Sequence, residues 1–136
     1  MKVYPFILFG SAAVMNFAVA AGLTVFLPQF VRVLELDPIT GSNVAIAGLA
    51  GALIAALGGA YLCVAFDPVG YRPFIGLGAL GKGLAFFGLL WAWREGQAPW
   101  TLPALGLADA LYVLLFVAYL RRPGPRSRTR RSSRPR

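Results

Sequence analysis

The sequence contains no histidine, a single cysteine and only five acidic residues. Without histidine there is no imidazole to ligate haem, chlorophyll or a mixed-ligand zinc ion, and Cys63 alone can neither close an internal disulfide nor complete a thiolate metal site. Cys63 has no cation or histidine near it in sequence to activate the thiol, so it is expected to serve as a small packing residue. Five scattered carboxylates make paired-carboxylate chemistry hard to assemble. No cofactor and no enzymatic reaction are expected.

The chain has long apolar runs instead. Hydrophobic residues fill 58% of its 136 positions and the mean hydropathy is +0.69, too apolar for an ordinary soluble domain. Four runs, residues 4–27, 44–66, 73–93 and 100–120, approach or exceed the roughly 20 residues that a helix needs to cross a hydrocarbon core about 30 Å thick. The expected fold class is all-α: a polytopic membrane protein, with a four-transmembrane-helix bundle over residues 1–122 and a disordered basic C-terminal tail over residues 123–136. The opening of the first run, with Ala18-Val19-Ala20 downstream, also resembles a secretory signal with an A-x-A cleavage site. Hydrophobicity continues through Leu23, Val25, Phe26 and Leu27, which favours a retained helix.

The longest internal connection, residues 28–43, carries Phe30, Val31, Val33, Leu34 and Leu36, too many apolar side chains for a freely solvated loop. A short interfacial helix ending before Pro38 is expected there, capping the bundle or, in a sharper reading, gating access to its interior. Asp67-Pro68 and Gly70 mark a tight turn across which Asp67 and Arg72 are placed to pair. Trp91, Trp93 and Trp100 gather around the last connection, as an interfacial aromatic belt would.

At about 100° per residue, the second and third runs are two-sided. In the second, Gly48, Gly51, Ala55 and Gly59 fall on one face and Ile46, Leu49, Leu53, Leu57 and Val64 on the other. In the third, Gly78, Gly81, Ala85 and Gly88 share a side with Lys82, opposite Leu77, Leu80, Leu84, Phe87 and Trp91. Bulky faces suit lipid. Small faces let helix backbones approach closely, which drives packing where burial from water no longer does.

Lys82 interrupts an otherwise apolar run, at an insertion cost of roughly 2.5–3.5 kcal/mol near a bilayer centre. It lies ten residues past Arg72 and twelve before Arg94, while Asp109 lies ten past Pro99 and twelve before Arg121. At a rise of about 1.5 Å per residue the two share one depth on adjacent antiparallel helices, so a Lys82–Asp109 contact is expected. Asn16, near the middle of the first run, and Tyr112, one turn beyond Asp109, are placed to add hydrogen bonds. Such a cluster either fixes helix register as a buried ion pair or forms a proton-coupled or ligand-binding site. A single pair is not a proton relay, and the spans hold no second acid to continue one.

Arg121, Arg122, Arg126, Arg128, Arg130, Arg131, Arg134 and Arg136 supply eight of the thirteen basic residues. Four spans put both ends of the chain on one side with Lys2 and Arg72, against Arg32 and Arg94 on the other, so the positive-inside rule makes both termini cytoplasmic. The arginines are expected to contact anionic lipid headgroups, at about 1 kcal/mol each, or the acidic surface of a protein partner in a membrane complex. No aromatic is interleaved for base stacking, which argues against sequence-specific nucleic acid. Phosphorylation at Ser127, Thr129, Ser132 or Ser133 would weaken lipid attachment.

From Ala65 onward, the Asp67-Pro68 turn, the Gly81-Lys82 pair, Trp100 and Asp109 together resemble a group of small bacterial four-helix membrane proteins, broadly DoxX-like. The resemblance covers about half the chain and implies a four-helix fold and an accessory role, without transferring a catalytic residue. The expected function is a non-enzymatic accessory or scaffolding subunit of a larger complex in the bacterial inner membrane. The alternative is a small carrier, or a quinone- or lipid-interacting protein, that uses the Lys82–Asp109 pair.

Overall fold

The computed structural model describes residues 3–122, which form five helices and no strand. They are α1 (Val3–Thr24), α2 (Leu27–Val33), α3 (Ser42–Phe66), α4 (Arg72–Arg94) and α5 (Thr101–Leu120). All but α2 are long and apolar enough to cross a membrane, and the protein is a multi-pass membrane protein. The Ala18-Val19-Ala20 segment lies inside the continuous α1. The calls on residues 123–136, including Arg126, Arg128, Arg130, Arg131, Arg134 and Arg136, lie outside the described residues.

Local chemistry sets the helix boundaries. Pro28 and Pro73 occupy the first turns of α2 and α4, and Pro103 that of α5, where a missing N–H costs nothing. The α3 helix stops at Asp67-Pro68, because the residue before proline is pushed out of the helical region. Asp67 does not pair with Arg72. Its Oδ1 accepts from the N–H of Gly70 at 2.9 Å and of Val69 at 3.3 Å, closing its own turn, while Arg72 Nη2 donates to Leu120 O at 2.6 Å. A guanidinium at the carbonyl end of a helix gains from the dipole there, and it ties the start of α4 to the end of α5.

Two helices close with paired backbone bonds around a left-handed residue. After α4, Gln97 N donates to Ala92 O and Gly96 N to Trp93 O, with Gly96 at φ 69°. After α2, Leu36 N donates to Val31 O and Glu35 N to Arg32 O, but here the residue at positive φ, 54°, is Glu35. A side chain in that conformation costs roughly 1–2 kcal/mol, so the end of α2 carries strain that the end of α4 avoids.

The bundle is two helix pairs. α1 packs extensively on α3 and α4 on α5, whereas α3 meets α4 far less. Gly51 and Gly58 let α1 approach α3: an added Cβ would meet Ala20 O at 3.2 Å in the first case and Phe17 Cε1 at 3.1 Å in the second. Gly106 does the same between α5 and Phe86 of α4. Aromatic rings join the pairs, with centroid separations of 5.0 Å for Phe9–Phe116 and 5.4 Å for Tyr61–Phe116.

The main buried cluster, which includes Phe9, Ala12, Tyr61, Val64, Ile75 and Phe116, lies toward the end that holds the start of α1, the 67–70 turn and the end of α5. Outward-facing Leu77, Leu80, Leu84, Phe87 and Trp91 are exposed, as are Leu49 and Leu53. These form an exposed apolar girdle on the outer faces of α3 and α4.

Candidate functional site

At the inner edge of the core, three helices converge on one ammonium group. Lys82 Nζ donates to Asp109 Oδ1 at 2.5 Å and to Asn16 Oδ1 at 3.0 Å. Asn16 Nδ2 donates in turn to Ile54 O at 3.2 Å, so one amide links α1 to both α3 and α4. Lys82 and Asn16 are buried, while the Asp109 side chain keeps 21% exposure. Charge-assisted bonds to a carboxylate and an amide are what make a lysine tolerable at this depth.

Two aromatic faces complete the cage. The ammonium stands 5.2 Å from the ring centroid of Tyr112 and 5.5 Å from that of Tyr61, within cation–π range. Tyr112 therefore offers Lys82 its ring rather than the hydrogen bond expected from sequence. Its hydroxyl donates to Ser11 Oγ at 3.0 Å, and Ser11 Oγ donates to Leu8 O at 2.9 Å. Tyr61 was not legible as a site residue: it is placed toward one end of its run, and the length of its ring brings it to the ammonium. Its hydroxyl donates to Gly78 O at 3.3 Å.

Beyond the cluster the bundle opens. A cavity of about 440 Å³ begins at Lys82, Asp109 and Asn16 and runs away from the core toward α2, walled by apolar side chains of all five helices. Its volume falls in the range of about 300–1,000 Å³ typical of small-molecule sites. Phe30 of α2 lines the far end with its ring against Gly22 of α1, and Thr101 Oγ1 donates to Leu34 O, strapping the end of α2 to the start of α5. Exposed Leu57 of α3 and Leu84 of α4 border the cavity where those helices part.

The glycine faces read from sequence divide between contact and space. Gly51 meets α1, and Gly78 faces Tyr61, whose Cε1 would stand 2.5 Å from an added Cβ. Gly48, Gly59, Gly81 and Gly88 have no neighbour within 4 Å of such a Cβ. Gly81, Ala85 and Gly88 line the cavity instead of packing on a helix.

On α3 the buried residues are Ala47, Gly51, Gly58, Tyr61, Val64 and Ala65. That face is turned by about 90° from the Gly48–Ala55–Gly59 line, at about 100° per residue. The helix carries two small-residue stripes, and α1 packs on the one that continues into Tyr61 and Val64; Val64, expected to face lipid, is fully buried. Cys63, expected to pack, is exposed.

At the opposite end, Arg121 and Arg122 are exposed just past α5, and the Arg122 guanidinium lies 4.5 Å from the Tyr4 ring centroid. No protein-family model, curated protein or solved structure matches this chain.

Proposed function

We propose that the protein is a non-enzymatic carrier or ligand-binding protein of the bacterial inner membrane, which holds a small lipid-soluble molecule beside Lys82 and Asp109. The observation that carries this reading is the cavity itself: a largely apolar space with a few convergent polar groups at one end is the form small-molecule sites take. A lysine needed only for helix register has no use for a cavity beside it. The excess of basic residues at the two ends supports cytoplasmic termini, and the resemblance to DoxX-like proteins is carried mostly by the Asp67-Pro68 turn and the Gly81-Lys82 pair.

The test is extraction from the native membrane in mild detergent, followed by mass spectrometry of what accompanies the protein. A stoichiometric small molecule or lipid is expected, and it should be lost in Gly81→Leu and Gly88→Leu, whose side chains enter open space and fill the cavity. Retention of the same molecule in both filled variants would sink the proposal.

A second reading, an accessory subunit of a larger complex, is favoured by a separate observation. The half-buried Gly48–Ala55–Gly59 stripe of α3 leaves room for another backbone at both glycines. Stoichiometric recovery with a larger membrane complex, abolished by Gly48→Leu, would support it.

A further inference from the structure

We infer that the cavity selects uncharged amphipathic molecules: lipid-soluble compounds with a hydroxyl-bearing head seated at Lys82 and Asp109 and an apolar body extending toward Phe30. The inference rests on the reading of this cavity as a binding site, and it adds the class of ligand.

Charge decides the class. The ammonium and the carboxylate are 2.5 Å apart and already neutralise each other. An anionic head at Lys82 would face the Asp109 carboxylate, and a cationic head at Asp109 would face the Lys82 ammonium. Either would leave a net charge in surroundings too apolar to solvate it.

A hydroxyl meets no such obstacle. Lys82 carries three N–H donors, of which two are engaged by Asp109 and Asn16. Among the described residues Asp109 accepts one hydrogen bond, at Oδ1, and its side chain is the partly exposed member of the pair. One hydroxyl oxygen accepts a hydrogen bond from the remaining N–H of Lys82 while its O–H donates one to Asp109.

Packing fixes the orientation. On one side of the pair Tyr61 and Phe116 fill the core, and on the other lies the apolar space running to Phe30. The exposed Leu57 and Leu84 at the parting of α3 and α4 place the entrance at the acyl chains rather than in water.

The full chain in phosphatidylcholine nanodiscs would be exposed to three photoreactive alkyl probes of equal length bearing a hydroxyl, a sulfonate or a trimethylammonium head. Mass spectrometry would map labelling at Val19, Ile54 and Leu105, half-buried residues of the cavity wall. The alcohol is expected to label these residues at least about tenfold more than either charged probe, as a stranded midplane charge requires. Asp109→Asn should swing the preference toward the sulfonate and Lys82→Gln toward the trimethylammonium; if neither variant folds, the wild-type ranking decides alone. Labelling of the wild type by a charged probe as strong as that by the alcohol would overturn the charge selection and leave the binding reading standing. Absence of cavity labelling by all three probes would overturn both.

Discussion

The two ends of the bundle are built from the same helices and solve opposite problems. Toward the chain termini, Phe9, Tyr61, Ile75 and Phe116 interlock with almost no exposure, and Arg72 latches α4 to α5. Toward α2 the same helices diverge around a cavity whose wall includes glycines that touch nothing, closed at its end by the ring of Phe30 and one threonine hydroxyl. The polar cluster of Asn16, Lys82 and Asp109 sits on the boundary. Close side-chain packing is concentrated in one half, and the buried charge is held where that packing gives way to the cavity.

The sharpest way to break this comparison is at the boundary. Lys82→Met alone strands the Asp109 carboxylate and should cost about 3–5 kcal/mol, read as unfolding of the purified protein in mixed detergent micelles. Lys82→Met combined with Asp109→Leu removes both charges and should recover most of that loss. Equal damage from the double and single variants would show that the pair does not act as a unit.

Next in size is truncation of an aromatic. Phe116→Ala in the packed half should cost about 3 kcal/mol, the low end of the range for such changes because the reference environment is lipid rather than water. Leu105→Ala, which only enlarges an existing cavity, should cost less than about 1 kcal/mol in the same assay. Comparable losses would mean that the two halves are equally packed.

Glycine substitutions sharpen the contrast within one helix. Gly78→Ala places a methyl 2.5 Å from Tyr61 Cε1, and since the Tyr61 hydroxyl is tied to Gly78 O the ring has little freedom to yield. A loss of about 1–3 kcal/mol is expected. Gly88→Ala, three turns along, meets nothing and should gain about 0.5–1 kcal/mol from reduced backbone entropy in the unfolded chain. The smallest effect is expected at the strap, where Glu35→Gly relieves the positive φ and should stabilise by about 0.5 kcal/mol once the entropy of the new glycine is deducted.

Much of this arrangement is written in spacing. Four bilayer-length runs give the four long helices, and equal distances from flanking arginine and proline residues bring Lys82 and Asp109 to one depth, where they meet. Rotation about each helix axis was less legible. With small residues on two stripes of α3, angles alone do not say whether Gly48 and Gly59 or Ala47 and Gly58 turn inward; that depends on Tyr61 and Val64, which commit the buried face at the far end. The cavity was illegible for the same reason. A small-residue side next to Lys82 reads as a packing surface, and only the divergence of the two helix pairs turns Gly81, Ala85 and Gly88 into the wall of a space.

The Lys82–Asp109 contact also bears on how the chain enters its membrane. While α4 is alone in the bilayer its ammonium has no counter-charge, and the roughly 2.5–3.5 kcal/mol this costs is recovered only when Asp109 arrives on α5. The short connection between them makes that arrival prompt, so α4 and α5 should be threaded as one hairpin. A chain truncated after Pro99 should integrate α4 less efficiently than one reaching Leu120, measurable by glycosylation mapping; equal integration would mean that Lys82 crosses without its partner.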